Sequence, residues 1–296
     1  MPRQIDLLPT PTHVERKKLI VLSAPRTGTH GLYQALKILG FKPYHMAEVI
    51  KAGPQSLQIL NDGLRAEMFH DGKPYGRAEF DKWFANYDVR IYPPLPLFAQ
   101  HGLTTFGYQI IIEMPFFMLH STLKAYPDAK FLLTERNPDK WAKSFVNTVG
   151  MMHTKFTSLP MSIFKYFDGF CYGMSCMSRL VIGYYTNGYG LTPEGHKYLA
   201  ENYTNYIEEV KRIVPPEQLK VCKLEDGFGW NEICPYLDVP IPDTPWPSLN
   251  TPEEFGEIAK PKLKTAFMKG MFGTTSIIAP VVAVGLWYLR KGKLSL

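Results

Sequence analysis

Three charged side chains stand where apolar runs break off. Arg26 follows Leu19-Ile20-Val21-Leu22, Glu113 follows the run 108–112, and Arg136 follows 130–134. Runs of that length and composition read as buried strands, and in an open parallel sheet ligands bind beyond the carboxyl ends of the strands. One such charge would be unremarkable; three on one edge describe a polar site. The segment Ser23-Ala24-Pro25-Arg26-Thr27-Gly28-Thr29-His30 leads from strand to helix. Its small residues let backbone N–H groups close on an anion, and the helix N-terminus adds partial positive charge. Arg26 can fork onto two phosphate oxygens while Thr27 and Thr29 donate hydroxyl bonds. A nucleotide-kinase loop needs GxxxxGK[ST], and this segment lacks both the lysine and the first glycine, which disfavours an ATPase or kinase.

Glu135-Arg136-Asn137-Pro138 with Ser144 supplies a second anion position, since Ser144 lies two turns into the helix that Arg136 precedes. Two phosphate positions on neighbouring strand ends imply a nucleotide phosphorylated at two places. Glu113, on the same edge, reads as an acid or base, or else as a salt-bridge partner of Arg26 or Arg136. His45 and His120 carry no assigned role, and Asp139, Lys140 and Lys143 read as a solvated helix face. The four cysteines form no CxxC pair and no zinc spacing, so they read as reduced thiols and no metal is expected.

The elements that must position these groups are legible from periodicity. A first helix starts near Gly28, with Leu32, Ala35, Leu36 and Leu39 at helical spacing. Asn137-Pro138-Asp139 is an N-cap, a proline at the first helical position and an acid in the first turn; Trp141, Phe145 and Val149 then share a face. Residues 219–224 read as a fourth strand. Pro93-Pro94 and Pro96 break the middle, so 86–106 reads as an irregular connection. Residues 151–190 are rich in Met, Phe and Tyr, with Lys165, Asp168 and Arg179 among them, and read as an apolar helical cap over the site or as buried packing. Strands alternating with helices predict an α/β fold: a parallel sheet flanked by helices, a helical aromatic-rich insertion and a C-terminal apolar helix. The expected organisation is an N-terminal extension over 1–18, one α/β domain over 19–268 with its cap at 151–190, and a hydrophobic helix over 269–296.

The 296 residues are 20% charged and 45% hydrophobic, enough for a large core, and collagen-like, disordered and disulfide-scaffold classes are excluded. A net charge of +6 suits an anionic ligand or a membrane surface and is too small and scattered for a nucleic-acid partner. The first residues contain no apolar stretch of signal-peptide type. Near the other end, MFGTTSIIAPVVAVGLWYL (271–289) carries no charge and is followed by Arg290, Lys291 and Lys293. As a helix it would reach about 28 Å at about 1.5 Å per residue, close to the hydrocarbon thickness of a bilayer, with Trp287 and Tyr288 at the interface. The expectation is a membrane anchor or in-plane helix on the cytoplasmic face of a membrane, the endoplasmic reticulum included. The alternative is a cytoplasmic protein whose terminal helix packs in an apolar groove of the domain.

Taken together, PRTGTHGLYQALKILGF, then Tyr44-His45-Met46, then AYPDAKFLLTERNPDKWAKSF make the chain similar to the P-loop sulfotransferase superfamily. Within it, the chain most resembles the sulfotransferase-like branch common in fungi, whose members often carry a hydrophobic C-terminus. The resemblance runs from about Leu19 to Phe255 and includes Ile241-Pro242-Asp243 and Trp246-Pro247-Ser248-Leu249-Asn250. It implies a P-loop-type sheet and transfer of a sulfuryl group from 3′-phosphoadenosine 5′-phosphosulfate, as co-substrate, to an acceptor hydroxyl or amine. Arg26, Thr27, Gly28 and Thr29 match the loop that holds the 5′-phosphosulfate, with His30 next in that loop where a hydroxyl residue is usual. Arg136 and Ser144 match the pair that holds the 3′-phosphate. Glu113, in Glu113-Met114-Pro115, falls where cytosolic sulfotransferases carry a His-x-Pro base. Arg26 stands where those enzymes have a lysine, as is usual in the branch, and Ile111 where a second sulfuryl-contacting lysine would be expected. Trp230 and Phe228 are candidates for the aromatic that stacks on adenine. Such transfer needs in-line positioning and cations on the developing charge, and no metal.

The methionine and aromatic content of 151–190 points to a hydrophobic acceptor such as a terpenoid, polyketide or lipid. Two further readings keep the fold and drop the donor. One is a cyclase, dehydratase or isomerase on an apolar metabolite, with Glu113 as acid or base beside Arg26, Arg136 and His30 and its carboxyl kept protonated by desolvation. The other is a membrane-tethered, non-catalytic binding protein.

Overall fold

The computed structural model describes residues 2–85, 107–247 and 252–293, so the connection expected over 86–106 and the stretch Ser248-Leu249-Asn250 lie outside the described residues. The centre is a sheet of β1 (Leu19–Val21), β2 (Pro43–Tyr44), β3 (Ile110–Ile112), β4 (Phe131–Glu135) and β5 (Leu219–Lys223). Its spatial order is β2-β3-β1-β4-β5 and every pairing is parallel. Val21 pairs with Ile112 on one side and Leu132 on the other. That register brings the segments carrying Arg26, Glu113 and Arg136 out of the same edge. The two-residue β2 is too short to leave a pattern in the sequence.

Helices cover both faces. In chain order they are α1 (Thr29–Ile38), α2 (Met46–Ala52), α3 (Pro54–Phe69), α4 (Arg77–Trp83), α5 (Met114–Phe117), α6 (Leu119–Ala125) and α7 (Pro138–Phe145). Then come α8 (Met151–Thr157), α9 (Met161–Phe164), α10 (Gly169–Tyr185), α11 (Pro193–Ile213), α12 (Trp230–Leu237) and α13 (Pro252–Lys293). Because parallel strands are buried on both sides, alternate residues serve different cores. Leu19, Val21, Ile110 and Ile112 pack with Leu32, Tyr33 and Leu36 of α1. Ile20, Leu22, Ile111 and Leu133 join the larger core with α3, α10 and α11.

Helix α7 begins as its residues dictate: Lys140 N–H donates to the Asn137 side chain at 3.1 Å, and Pro138 takes the first helical position. It does not end at Phe145. Val146–Gly150 is π-helical and runs on into α8 with helical backbone throughout. Across this π turn Val149, expected on the face of the fully buried Trp141 and Phe145, packs half-buried against the same core and also lines a cavity.

Residues 151–190 fold as α8, α9, a 3-10 turn Lys165–Phe167, and α10. Asp168 caps α10, accepting from the N–H groups of Phe170 and Cys171, while Lys165 Nζ donates to Ser175 Oγ at 3.1 Å. Gly173 lets α10 approach α3, where an added Cβ would stand 3.0 Å from Leu57. Helix α13 packs on the domain only through its first part. From Met271 onward the large apolar side chains, Trp287 and Tyr288 among them, are exposed, so among the described residues no groove receives this part of the helix. This helix is long and apolar enough to cross a membrane.

Candidate functional site

The loop after β1 is held by its carbonyls. Leu22 O accepts from Tyr206 Oη at 2.6 Å, Ala24 O from Thr27 Oγ1 at 2.7 Å, Pro25 O from Trp141 Nε1 at 2.8 Å, and Arg26 O from Arg136 Nη1 at 2.8 Å. Ser23 Oγ accepts from Thr134 N–H at 2.7 Å. Those bonds fix the loop's course, and the donors it can offer an anion include the Arg26 guanidinium and the amides opening α1. The first N–H groups of α1, those of Thr29 and Gly31 among them, are ones that helix geometry leaves without an intrahelical acceptor. Gly28 precedes them with φ 87°, and a Cβ there would meet Leu224 and Phe228 at 3.0 Å. Only glycine satisfies both demands. Arg26 also sits at positive φ, 72°, a costly conformation for a side-chain-bearing residue that the surrounding bonds enforce.

The threonine hydroxyls differ from expectation. Thr27 spends its proton on Ala24 O, and Thr29 Oγ1 donates to Glu113 Oε1 at 2.6 Å. Both side chains are buried, and a buried hydroxyl needs an internal acceptor. The second anion position also differs in its wiring. Arg26 Nε donates to Ser144 Oγ at 3.3 Å, and Arg136 braces the Arg26 carbonyl, so the two expected phosphate positions share one bonded cluster. Arg136 N–H itself donates to Tyr203 Oη at 2.9 Å, and the Tyr203 ring stacks on Trp141 at 4.4 Å. Burial lowers the Arg26 guanidinium pKa, Glu113 opposes this and Arg136 adds to it; a guanidinium stays charged regardless.

Glu113 leaves β3 at φ 69° and is buried. Its Oε1 takes the Thr29 bond and lies 3.1 Å from His45 Nε2. Burial pushes the carboxyl up, but His45, the Thr29 hydroxyl and His30 pull the other way and prevail, so it sits below the ordinary carboxylate range. The expectation of a carboxyl kept protonated by desolvation therefore fails. His45 was given no role by sequence reasoning, yet it is the residue best placed to act on Glu113. Its Nδ1 accepts from Ala47 N–H at 3.1 Å as the cap of α2, which puts the ring proton on Nε2, the nitrogen that lies 3.1 Å from the carboxylate. Its ring stacks on Tyr33 at 5.1 Å and lies 5.6 Å from His30. The available signal was its position directly after Tyr44, at the carboxyl end of a strand too short to recognise. His120 is exposed, 3.4 Å from Glu209.

A cavity of about 320 Å³ opens onto these groups. Arg26, Thr29, His30, His45 and Glu113 line one end; Met152, Phe156, Met174, Met177 and Val181 line the other, and Asn147, Thr148 and Lys155 are also in the lining. Thr27, Gly28, Arg136 and Ser144 do not line it and build the flank of the loop. Of the two aromatic candidates, Phe228 touches the loop at Gly28, whereas Trp230 donates through Nε1 to Thr244 O at 2.7 Å and packs edge-on against Trp246.

An α/β protein of the P-loop type is the class this frame defines. The sulfotransferase domain model matches residues 18–107 and 102–255, and the chain belongs to that family. Ava biosynthesis cluster protein M of Aspergillus versicolor is 28% identical over 286 residues, covering 93% of this chain and 97% of its own. A crystal structure of a sulfotransferase from Alicyclobacillus acidocaldarius covers 90% of this chain and 97% of its own, at 15% identity and a TM-score of 0.39.

Proposed function

We propose that the protein is a sulfotransferase-like transferase that moves a sulfuryl group from 3′-phosphoadenosine 5′-phosphosulfate to a hydroxyl of a hydrophobic small molecule. The observation that carries this reading is the two-ended cavity, with Glu113 held between Thr29 and His45 at one end and methionine, phenylalanine and valine walls at the other. An apolar acceptor would lie along those walls with its hydroxyl at Glu113. The donor would supply the sulfuryl group. The left-handed turn at Gly28 leads into the amide end of α1 beside Arg26, where an anion would sit, and Arg136 with Ser144 would hold the second phosphate.

In the step itself the acceptor oxygen bonds to sulfur as the sulfur–oxygen bond to the 5′-phosphate breaks. The acceptor's proton passes to the Glu113 carboxylate, and Arg26 meets the charge that develops on the leaving oxygen. A carboxyl held below its ordinary range is ionised at neutral pH and can accept a proton, as a weaker base than a free carboxylate because its partners stabilise the ionised form. The exposed apolar part of α13 would anchor the protein on the cytoplasmic side of a membrane, a setting suited to a lipophilic acceptor. The Aspergillus versicolor relative is named for a biosynthesis cluster, which supports an acceptor from secondary metabolism.

One observation favours a second reading, donor-independent cyclisation, dehydration or isomerisation. The Thr29 hydroxyl and one Arg136 nitrogen are already engaged within the protein. In that case Glu113 would act as a base, since its partners keep it ionised. Mass spectrometry of a metabolite extract incubated with the detergent-solubilised full chain, with and without the donor, separates the readings. A product heavier by one SO3 that forms only with donor supports sulfuryl transfer. A rearranged product formed without donor supports the second reading, and no product in either sample contradicts both and leaves a binding protein.

A further inference from the structure

Helix α13 is joined rigidly to the rim of the cavity. An added Cβ at Gly270 or Gly273 would lie 2.2 Å from Phe164 or Phe167, so the helix backbone rests directly on α9 and the turn after it. Phe267 meets Phe164 with ring centroids 5.3 Å apart, and Lys269 Nζ pairs with Asp168 at 3.0 Å. The uncharged run begins at Met271, within this contact. Helix α9 and its flanks therefore lie at the level where the apolar part of α13 starts.

At that level several large apolar side chains face outward: Leu159 is 76% exposed, Ile163 46%, Tyr166 69% and Phe272 67%. A cluster of this kind marks a surface that something covers. The rim adjoins it, since Leu263 of α13 and Met151 of α8 both line the cavity and Met151 is 67% exposed. From Leu263 to Met271 the helix rises about 12 Å at about 1.5 Å per residue.

We infer that α9 with its flanking residues Leu159 and Tyr166 lies in the same lipid surface that α13 enters, so that the cavity takes its acceptor from the bilayer and not from water. A bilayer is the occupant because the patch continues into a helix long and apolar enough to cross one, with Lys264 and Lys269 before the run and Arg290 and Lys291 after it at headgroup positions. The inference deepens the reading of the cavity as an acceptor site and of α13 as a membrane segment.

The test uses the full chain in phosphatidylcholine vesicles with single nitroxide labels, in a Cys176→Ser background because Cys171, Cys222 and Cys234 are buried. Labels at Ile163→Cys and Met151→Cys read the patch and the rim; Lys143→Cys, on the exposed face of α7, is the aqueous control. Collision with oxygen is compared with collision with a water-soluble nickel chelate. The expected result is a positive depth parameter at 163 and 151 and a negative one at 143. A negative value at 163 overturns the inference. A positive value at 163 with a negative one at 151 overturns the loading route, because the surface would then dock while the cavity opened to water. Donor binding is read at Arg26 and Arg136, so positive depths without donor binding would sink sulfuryl transfer and leave this inference standing.

Discussion

The two ends of the cavity are built by different means. At the polar end, the carbonyls of Leu22, Ala24, Pro25 and Arg26 each accept from a named side chain, and Glu113 is met by Thr29 and His45 through one oxygen. At the apolar end, Met152, Met174, Met177 and Val181 are placed by packing. Directional bonds specify a geometry and punish any change, whereas methionine contacts specify a volume and tolerate exchange. The chemistry is thus fixed while the acceptor's shape stays adjustable.

Breaking the polar end should cost most. Glu113→Gln removes the base but keeps the volume, and turnover should fall by about 10² or more with donor affinity unchanged, as read by kinetics and calorimetry on one preparation. Gly28→Ala forces a Cβ against Leu224 and Phe228 at φ 87°, and urea unfolding should show a loss of about 2 kcal/mol or more.

A titration sharpens the contrast. The Glu113 carboxyl is lower in the folded protein than its ordinary value of 4.5, so its contribution to stability is complete above that value and is lost as pH falls through the folded-state value. His45→Ala should raise the acid limb of the pH–rate profile toward ordinary carboxylate values, whereas a limb left in place would remove His45 from any role on Glu113. The smallest effect belongs to the apolar end: Met174→Leu should cost less than about 1.5 kcal/mol and leave donor affinity unaltered, changing only the preference among acceptors.

Much of this was legible in the chain. The runs at β1, β3, β4 and β5 and the charges that follow them sufficed to place a polar site on one sheet edge, because strand period and helix caps are local properties. What escaped was set by tertiary partners. Thr29 looks like an anion donor until Glu113, distant in sequence, supplies a buried acceptor. His45 looks idle until the two-residue β2 brings it beside the same carboxylate. The π turn that carries the chain from α7 into α8 without a break is announced by no residue type. The long run after Met271 could have packed in a groove, and only its exposure among the described residues shows that it stands out.

Calorimetric titration of 3′-phosphoadenosine 5′-phosphosulfate into the full chain in detergent, with Arg26→Ala and Arg136→Ala beside it, tests the central claim most directly. Each arginine makes charge-assisted bonds of about 1.5–3 kcal/mol. Saturable one-to-one binding that weakens at least about tenfold in each variant is the predicted result. Absence of binding to the unaltered chain, or equal affinity in all three proteins, would contradict it.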